Sequence, residues 1–330
     1  MKQNKRIFTI AFAVLALTAL LCVAIPAFGE GGEEKDTDGR ITVLCVGFDE
    51  AASNTDVLML LSIDTADKQI SVLQIPRDTY CRTSMGEGKI NAIYPTLLTS
   101  GCKENEALSR LAEEISLLFG IKIDEYAAID TASLSLLTDK LGGLTLRLNA
   151  PTSLGGRTFA AGEHHLDGET VLHLIRYRSN YAEGDLGRLD AQKLILGAAY
   201  RKMKDDVSFV TLLGFLPTIQ QEVRTSLSPA AQLSLGYAVY RYRDAYRVLA
   251  ATLPGEAVLT EGDSPISYYA VNRDAALALF ERVGVAAKLG SGLTTEEIPA
   301  IKSVYERAGL NYTLYTEDTL DTIKIKTKIK

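Results

Sequence analysis

From Ile7 to Gly29 the chain carries no charged side chain, and this run restricts what the chain can become more than any other feature. A helix that crosses a bilayer needs about 20 apolar residues, and a stretch this long and apolar has few other homes. Lys2, Lys5 and Arg6 precede it, and Glu30, Glu33, Glu34, Asp36 and Asp38 follow it. A basic flank before the run and an acidic flank after it set the orientation. The expectation is a cytoplasmic start at 1–6, a transmembrane signal-anchor at 7–29 and a polar linker at 30–40. The rest of the chain then lies outside the cell membrane as a single-pass protein's extracytoplasmic domain. A cleaved signal peptide is the alternative, with Ala27-Phe28-Gly29 as the small-x-small site, and it exports the same domain.

Beyond the linker three β-rich runs precede any helix: Ile41–Val46, Val57–Ile63 and Gln69–Ile75. Asp64–Lys68 reads as the turn between the last two, so these runs are neighbouring strands of one sheet. Helical spacing follows at Lys103–Phe119, stopped by Gly120, and at Thr131–Leu141, stopped by Gly142-Gly143 before a strand at Leu144–Leu148. A short helix at Glu169–Leu174 leads into an extended Ile175–Arg178, and another helix runs from Leu186 through Lys202. Strands alternating with helices predict a three-layer α/β/α sandwich around a central mixed β-sheet. Thr294–Glu297 has the form of a capping box, and Ile323–Lys330 alternates like an edge strand.

A formal charge of −6 supplies no general basic face, which argues against a nucleic-acid partner. Zinc hydrolysis lacks its signature, since His164, His165 and His173 form no H-E-x-x-H. Cys45 sits in an apolar strand and reads as a small core residue. Cys81 and Cys102 bracket a polar loop outside the cell, where a disulfide or two thiols are both compatible with the sequence.

Three constellations carry chemistry. Arg176-Tyr177-Arg178 is followed by Asp185, Arg188 and Gln192. If the first three residues are extended, both guanidiniums leave the same face. Arg188 and Gln192, four apart, share a helix face. Arginine forks suit phosphate oxygens and keep their charge at any physiological pH. The plainer reading is a set of surface arginines paired with Glu183, Asp185 and Asp190. Second, Arg77 and Asp78 lie just past a strand cut by Pro76, with Lys89-Ile90-Asn91 after a Gly-rich loop. Third, Asp49 ends one strand and Asp56 opens the next, so two carboxylates can meet at one sheet edge. Such a pair, with water and phosphate oxygens, suits Mg²⁺, although loop aspartates are commonplace.

In order along the chain, VLCVGFDE, NTDVLMLLSID, VLQIPRDTY, KINAIY, FGIKIDEYAAID, LLTDKLGGLTL, AAGEHHLDGETVLHLIRYRS and GDLGRLDAQK resemble the LytR-CpsA-Psr family of cell-envelope glycopolymer ligases. The resemblance covers 41–282 as a catalytic domain and leaves 283–330 as a C-terminal extension without an assigned role. It implies transfer of a polyprenyl-pyrophosphate-linked glycopolymer to peptidoglycan, at a muramic acid hydroxyl, with release of polyprenyl phosphate. By that similarity Asp49 and Asp56 would hold Mg²⁺. Arg77, Arg176, Arg178 and Arg188 would clamp the pyrophosphate with Lys89, Asn91 and Gln192, and Asp185 would orient the arginines or act near the acceptor.

Two positions depart from the family pattern. Asn54 stands where family members usually carry an arginine two residues before the second aspartate, and Ala191 where one usually precedes the glutamine. They keep a second reading open, a noncatalytic envelope protein that binds the lipid-linked polymer or scaffolds its synthesis machinery.

Overall fold

The computed structural model describes residues 39–48, 55–154, 156–176, 181, 184–260, 263–293, 301–303 and 312–325. The expected membrane segment therefore lies outside the described residues, as do Asp49, Asn54, Arg178 and the capping box at Thr294–Glu297. Among the described residues no helix is long and apolar enough to cross a membrane.

Three long strands dominate, β1 (Arg40–Phe48), β2 (Thr55–Asp64) and β3 (Gln69–Ile75). They are joined by β4 (Glu125–Ile129), β5 (Val223–Thr225), β6 (Arg247–Thr252) and β7 (Tyr315–Thr316) in the order β5-β4-β1-β2-β3-β6-β7. β1, β2 and β3 form an antiparallel meander, while β4 runs parallel to β1 and β6 parallel to β3. The sheet is mixed for that reason. The β2–β3 turn is tied by Asp64, whose Oδ1 accepts from the backbone of Ala66 at 2.9 Å and Asp67 at 2.8 Å.

Every residue of β2 and β3 is buried, as strands covered on both faces must be. The period-2 alternation divides the core in two. Val43, Cys45, Val57, Met59 and Leu61 face one apolar cluster, while Leu44, Val46, Leu58 and Leu60 face the other. The second cluster is closed by α1 (Ile93–Thr99), α2 (Glu104–Phe119) and, from further along the chain, α8 (Arg273–Arg282). The first is closed by α3 (Thr131–Lys140), α4 (Gly168–Arg176), α5 (Asp185–Arg201), α6 (Phe209–Glu222) and α7 (Pro229–Arg241). Helix starts follow capping chemistry: Asp130 accepts from the Ser133 amide at 3.0 Å and Asn272 from the Ala275 amide at 3.0 Å. Gly120 ends α2 at φ +57°, and a Cβ there would meet the Lys288 carbonyl oxygen at 2.0 Å, so both the turn and the close approach require glycine.

Two expectations change and one open alternative is decided. α4 extends through Arg176, so Ile175 and Arg176 are helical and not the start of an extended segment. Val171, Leu174 and Ile175 are all buried, and that helical spacing decides the conformation. Cys81 and Cys102 are free thiols, because each packs into or against the apolar cluster on the α2 side in place of bridging. Tyr315–Thr316 forms an edge strand, and at 323–325 there is none: Ile323 and Ile325 turn inward with Leu320 to fill the cluster beside α5, while 326–330 lie outside the described residues. Much of the C-terminal extension is thus built into the domain, with Leu289 and Leu293 in the opposite cluster.

Candidate active site

The site forms where β1 and β3 end and β2 begins. Opposite β1, Gly47 pairs with Val57 and Phe48 with Thr55, so Asp56 occupies a bulge with no register partner. A bulge bends a strand and re-aims its side chain. Across the β2–β3 pair Leu58 opposes Ile75, and continuing that register by two residues sets Asp56 against Arg77. Pro76 ends β3, and the Thr79 amide closes a turn on the Pro76 carbonyl at 2.9 Å. The Arg77 carbonyl accepts from the Asn91 amide at 3.2 Å, and the Asn91 carbonyl accepts from Thr55 Oγ1 at 3.2 Å. Arg77 is therefore held by both strands.

The third contributor is α5. Its amino end begins after Gly184, and Asp185 lies in the first turn, where the helix dipole favours a carboxylate. Arg77 Nη1 donates to Asp56 Oδ1 at 2.7 Å, while its Nε lies 3.7 Å from Asp185 Oδ1. Arg188 Nη2 approaches the same Asp185 oxygen at 2.8 Å. Two carboxylates and two guanidiniums thus alternate in one chain. Side-chain exposure falls from 24% at Asp185 and 16% at Arg77 to 2% at Arg188, so the cluster runs from a mouth into the interior. That burial excludes the reading of Arg188 as a surface arginine.

Burial opposes both guanidinium charges. At Arg77 the fields of Asp56, Asp185 and Asp78 and the hydrogen bond donated to Asp56 outweigh it, and the pKa rises. At Arg188 burial prevails over Asp185, Arg77 adds repulsion, and the pKa falls. A further anion beside Arg188 would relieve this penalty. Two buried donors, Arg77 Nε and Gln192 Nε2, have no hydrogen-bond acceptor among the described residues. Buried donors are normally satisfied, and these two belong to Arg77 and to the residue one turn beyond Arg188 on α5.

Lys89 departs from the cluster: its ammonium is held by Asp78 at 2.8 Å. Asn91 acts through its backbone, as above. Arg176 ends α4, on the chain preceding α5, and Arg178 and Asp49 lie outside the described residues. Among the described residues no group of three or more His, Cys, Asp or Glu side chains could hold a metal ion. Mg²⁺ needs no such cage, because it keeps several waters and takes one or two carboxylates plus substrate phosphates. The hard oxygens of Asp56 at the strand junction suit that requirement.

Sequence reasoning missed the support beneath Gln192. Gln74 of β3 donates from Nε2 to Gln192 Oε1 at 3.1 Å and to the Leu189 carbonyl at 3.0 Å. Its Oε1 accepts from Thr252 Oγ1 at 2.8 Å, and Lys193 Nζ donates to the same hydroxyl at 2.8 Å while pairing with Asp190 at 2.8 Å. A glutamine inside the apolar run VLQI was the available signal.

A mixed α/β domain with alternating arginines and carboxylates at its strand ends defines a class of anion-handling protein. The LytR_cpsA_psr family model matches residues 27–283, and the chain belongs to that family. Among curated proteins, the polyisoprenyl-teichoic acid–peptidoglycan teichoic acid transferase TagU of Oceanobacillus iheyensis is 31% identical over 199 residues, 59% of this chain and 60% of that relative. The chain spans less than two thirds of the length of the curated relatives it matches. Its fold is that of TagV from B. subtilis, with a TM-score of 0.61 at 23% identity over 75% of this chain and 96% of that one. TagT bound to LIIa-WTA shares it, with a TM-score of 0.60 at 19% identity over 79% of this chain and 97% of that one.

Proposed function

We propose that the chain is an extracytoplasmic, membrane-anchored phosphotransferase that moves a glycopolymer from a polyprenyl pyrophosphate carrier to peptidoglycan. The observation that carries this reading is the Asp56–Arg77–Asp185–Arg188 cluster, in which Arg77 Nε and, one helical turn beyond Arg188, Gln192 Nε2 are buried donors with no acceptor among the described residues. Phosphate oxygens supply the missing acceptors, and the family and the names of its relatives supply the class of donor and acceptor.

In the proposed step a peptidoglycan hydroxyl attacks the phosphorus joined to the glycopolymer. A new O–P bond forms, the P–O bond to prenyl phosphate breaks, and prenyl phosphate leaves with the electron pair while the hydroxyl proton passes to solvent. Such a transfer needs positioning and charge stabilisation more than covalent help. Arg77 and Arg188 bind the pyrophosphate, Arg176 and Arg178 complete the clamp, and Gln192 donates its amide. Asp185, between two arginines, holds their guanidiniums in place, which favours its orienting role over one at the acceptor hydroxyl. Mg²⁺ held by Asp56 and Asp49 would, when bound, neutralise charge developing on the phosphate oxygens.

The test incubates the full chain with a prenyl-pyrophosphate-linked oligosaccharide and peptidoglycan. Release of prenyl phosphate that requires both Mg²⁺ and peptidoglycan supports transfer. Donor retained without turnover, at the same level in wild type and Arg77→Ala, would establish the binder reading instead.

A further inference from the structure

The polar chain beneath Gln192 has a direction, and its ends set it. A lysine ammonium can only donate, so Lys193 leaves the Thr252 hydroxyl proton to go to Gln74 Oε1. A backbone carbonyl can only accept, so Leu189 fixes the other end of the Gln74 amide with Nε2 toward α5. Gln74 Nε2 then has Gln192 Oε1 as its second acceptor, which leaves Gln192 Nε2 as the buried group with no partner among the described residues. Register supports the arrangement: Gln74 and Thr252 are paired across β3 and β6, and Gln192 lies one turn beyond Arg188 on α5. Gln74, Gln192 and Lys193 are buried and Thr252 is half-buried, so water does not compete for the two bonds that Gln74 donates.

We propose that Gln74 is a positioning residue: clamped between the Leu189 carbonyl and the Lys193–Thr252 pair, it fixes the Gln192 amide so that an N–H donor, never the carbonyl oxygen, faces the bound anion. An amide free to turn would present oxygen part of the time and repel a phosphate. The inference rests on the anion-binding reading of the site. It adds a residue that touches no substrate and a reason for a buried lysine far from the mouth. Burial lowers that lysine's pKa, and Asp190 at 2.8 Å acts against the shift.

The test measures binding of inorganic pyrophosphate to the full chain in a cycle of wild type, Gln74→Met, Gln192→Ala and the double variant. A side-chain ¹⁵N–¹H spectrum reports the Gln192 amide, assigned by its loss in Gln192→Ala. Gln74→Met should weaken pyrophosphate about tenfold, the scale of one hydrogen bond to a charged group, and should cost nothing further once Gln192 is gone. The Gln192 resonances should move or double in Gln74→Met. Thr252→Val, which keeps the glutamine and cuts its clamp, should act in the same direction and serves if Gln74→Met does not fold. Equal losses in both backgrounds, or wild-type binding by both variants, would overturn the proposal. If the wild type ignores pyrophosphate, the function proposed above fails by itself. The spectrum then decides: displaced Gln192 resonances uphold positioning by Gln74, and unchanged ones refute it.

Discussion

Arg77 touches Asp56, lies near Asp185 and keeps one buried N–H without an acceptor among the described residues, so it joins every described part of the cluster. A lysine offers a point charge and no planar fork, so Arg77→Lys should be nearly as inactive as Arg77→Ala in prenyl phosphate release. Losses of about 10²–10³ in kcat are the scale for one lost transition-state donor. Arg188 calls for a different substitution. Removing one partner of a buried ion pair is costly where it strands the other charge, but Asp185 is partly exposed and keeps Arg77 beside it, and methionine fills the volume that Arg188 leaves. Arg188→Met should therefore fold with a Tm close to wild type yet lose transfer, as thermal melts beside the release assay would show. A Tm collapse together with the activity would make Arg188 chiefly structural.

At the scale of elements, α5 carries the site and must sit close to the chain before it. A Cβ on Gly187 would meet Tyr181 Cβ at 2.7 Å, and Tyr181 is itself buried with its hydroxyl donating to the Leu174 carbonyl. Glycine to alanine inside a helix usually stabilises. Here overpacking reverses the sign, and Gly187→Ala should cost about 1–3 kcal/mol in denaturant unfolding and displace Asp185 and Arg188 together. The three strands and the helices at Glu104–Phe119 and Thr131–Lys140 were legible because each obeys one hydrophobic period over enough residues. The seven residues of α1 carry too short a pattern, and the three residues of β5 become a strand only through pairing with β4. Arg176 is not legible locally, because the chain after Leu174 is ambiguous and burial of Ile175 settles it as helix. The arginines and aspartates of the site were legible as types. The bulge at Asp56 and the Gln74 support arise from register between strands, which no local pattern encodes.

Across the described residues Cys45 and Cys81 lie in the interior and Cys102 is partly buried. Cys81 is buried, and burial, with Glu114 adding to it, pushes its thiol up to about 12 from 9.0. The unfolded chain releases this proton first, so the folded state's advantage is complete below pH 9 and declines as pH rises toward about 12. Melting temperature should fall from about pH 8 to about pH 10 and fall less in Cys81→Ala. In the native protein Cys102, only partly buried, should react with a thiol reagent before Cys81 and Cys45. A bridged pair would instead stay unlabelled even after denaturation.

In the proposed function the two cores on either side of the sheet hold three chain segments, at Asp56, Arg77 and Asp185–Gln192, around one anion. Single-turnover release of prenyl phosphate by the full chain, with donor, peptidoglycan and Mg²⁺ all saturating, tests that claim most directly. A pyrophosphate clamp predicts release slowed about 100-fold or more in both Arg77→Ala and Asp56→Asn, with both variants still folded. Release at the wild-type rate by folded Arg77→Ala would contradict it.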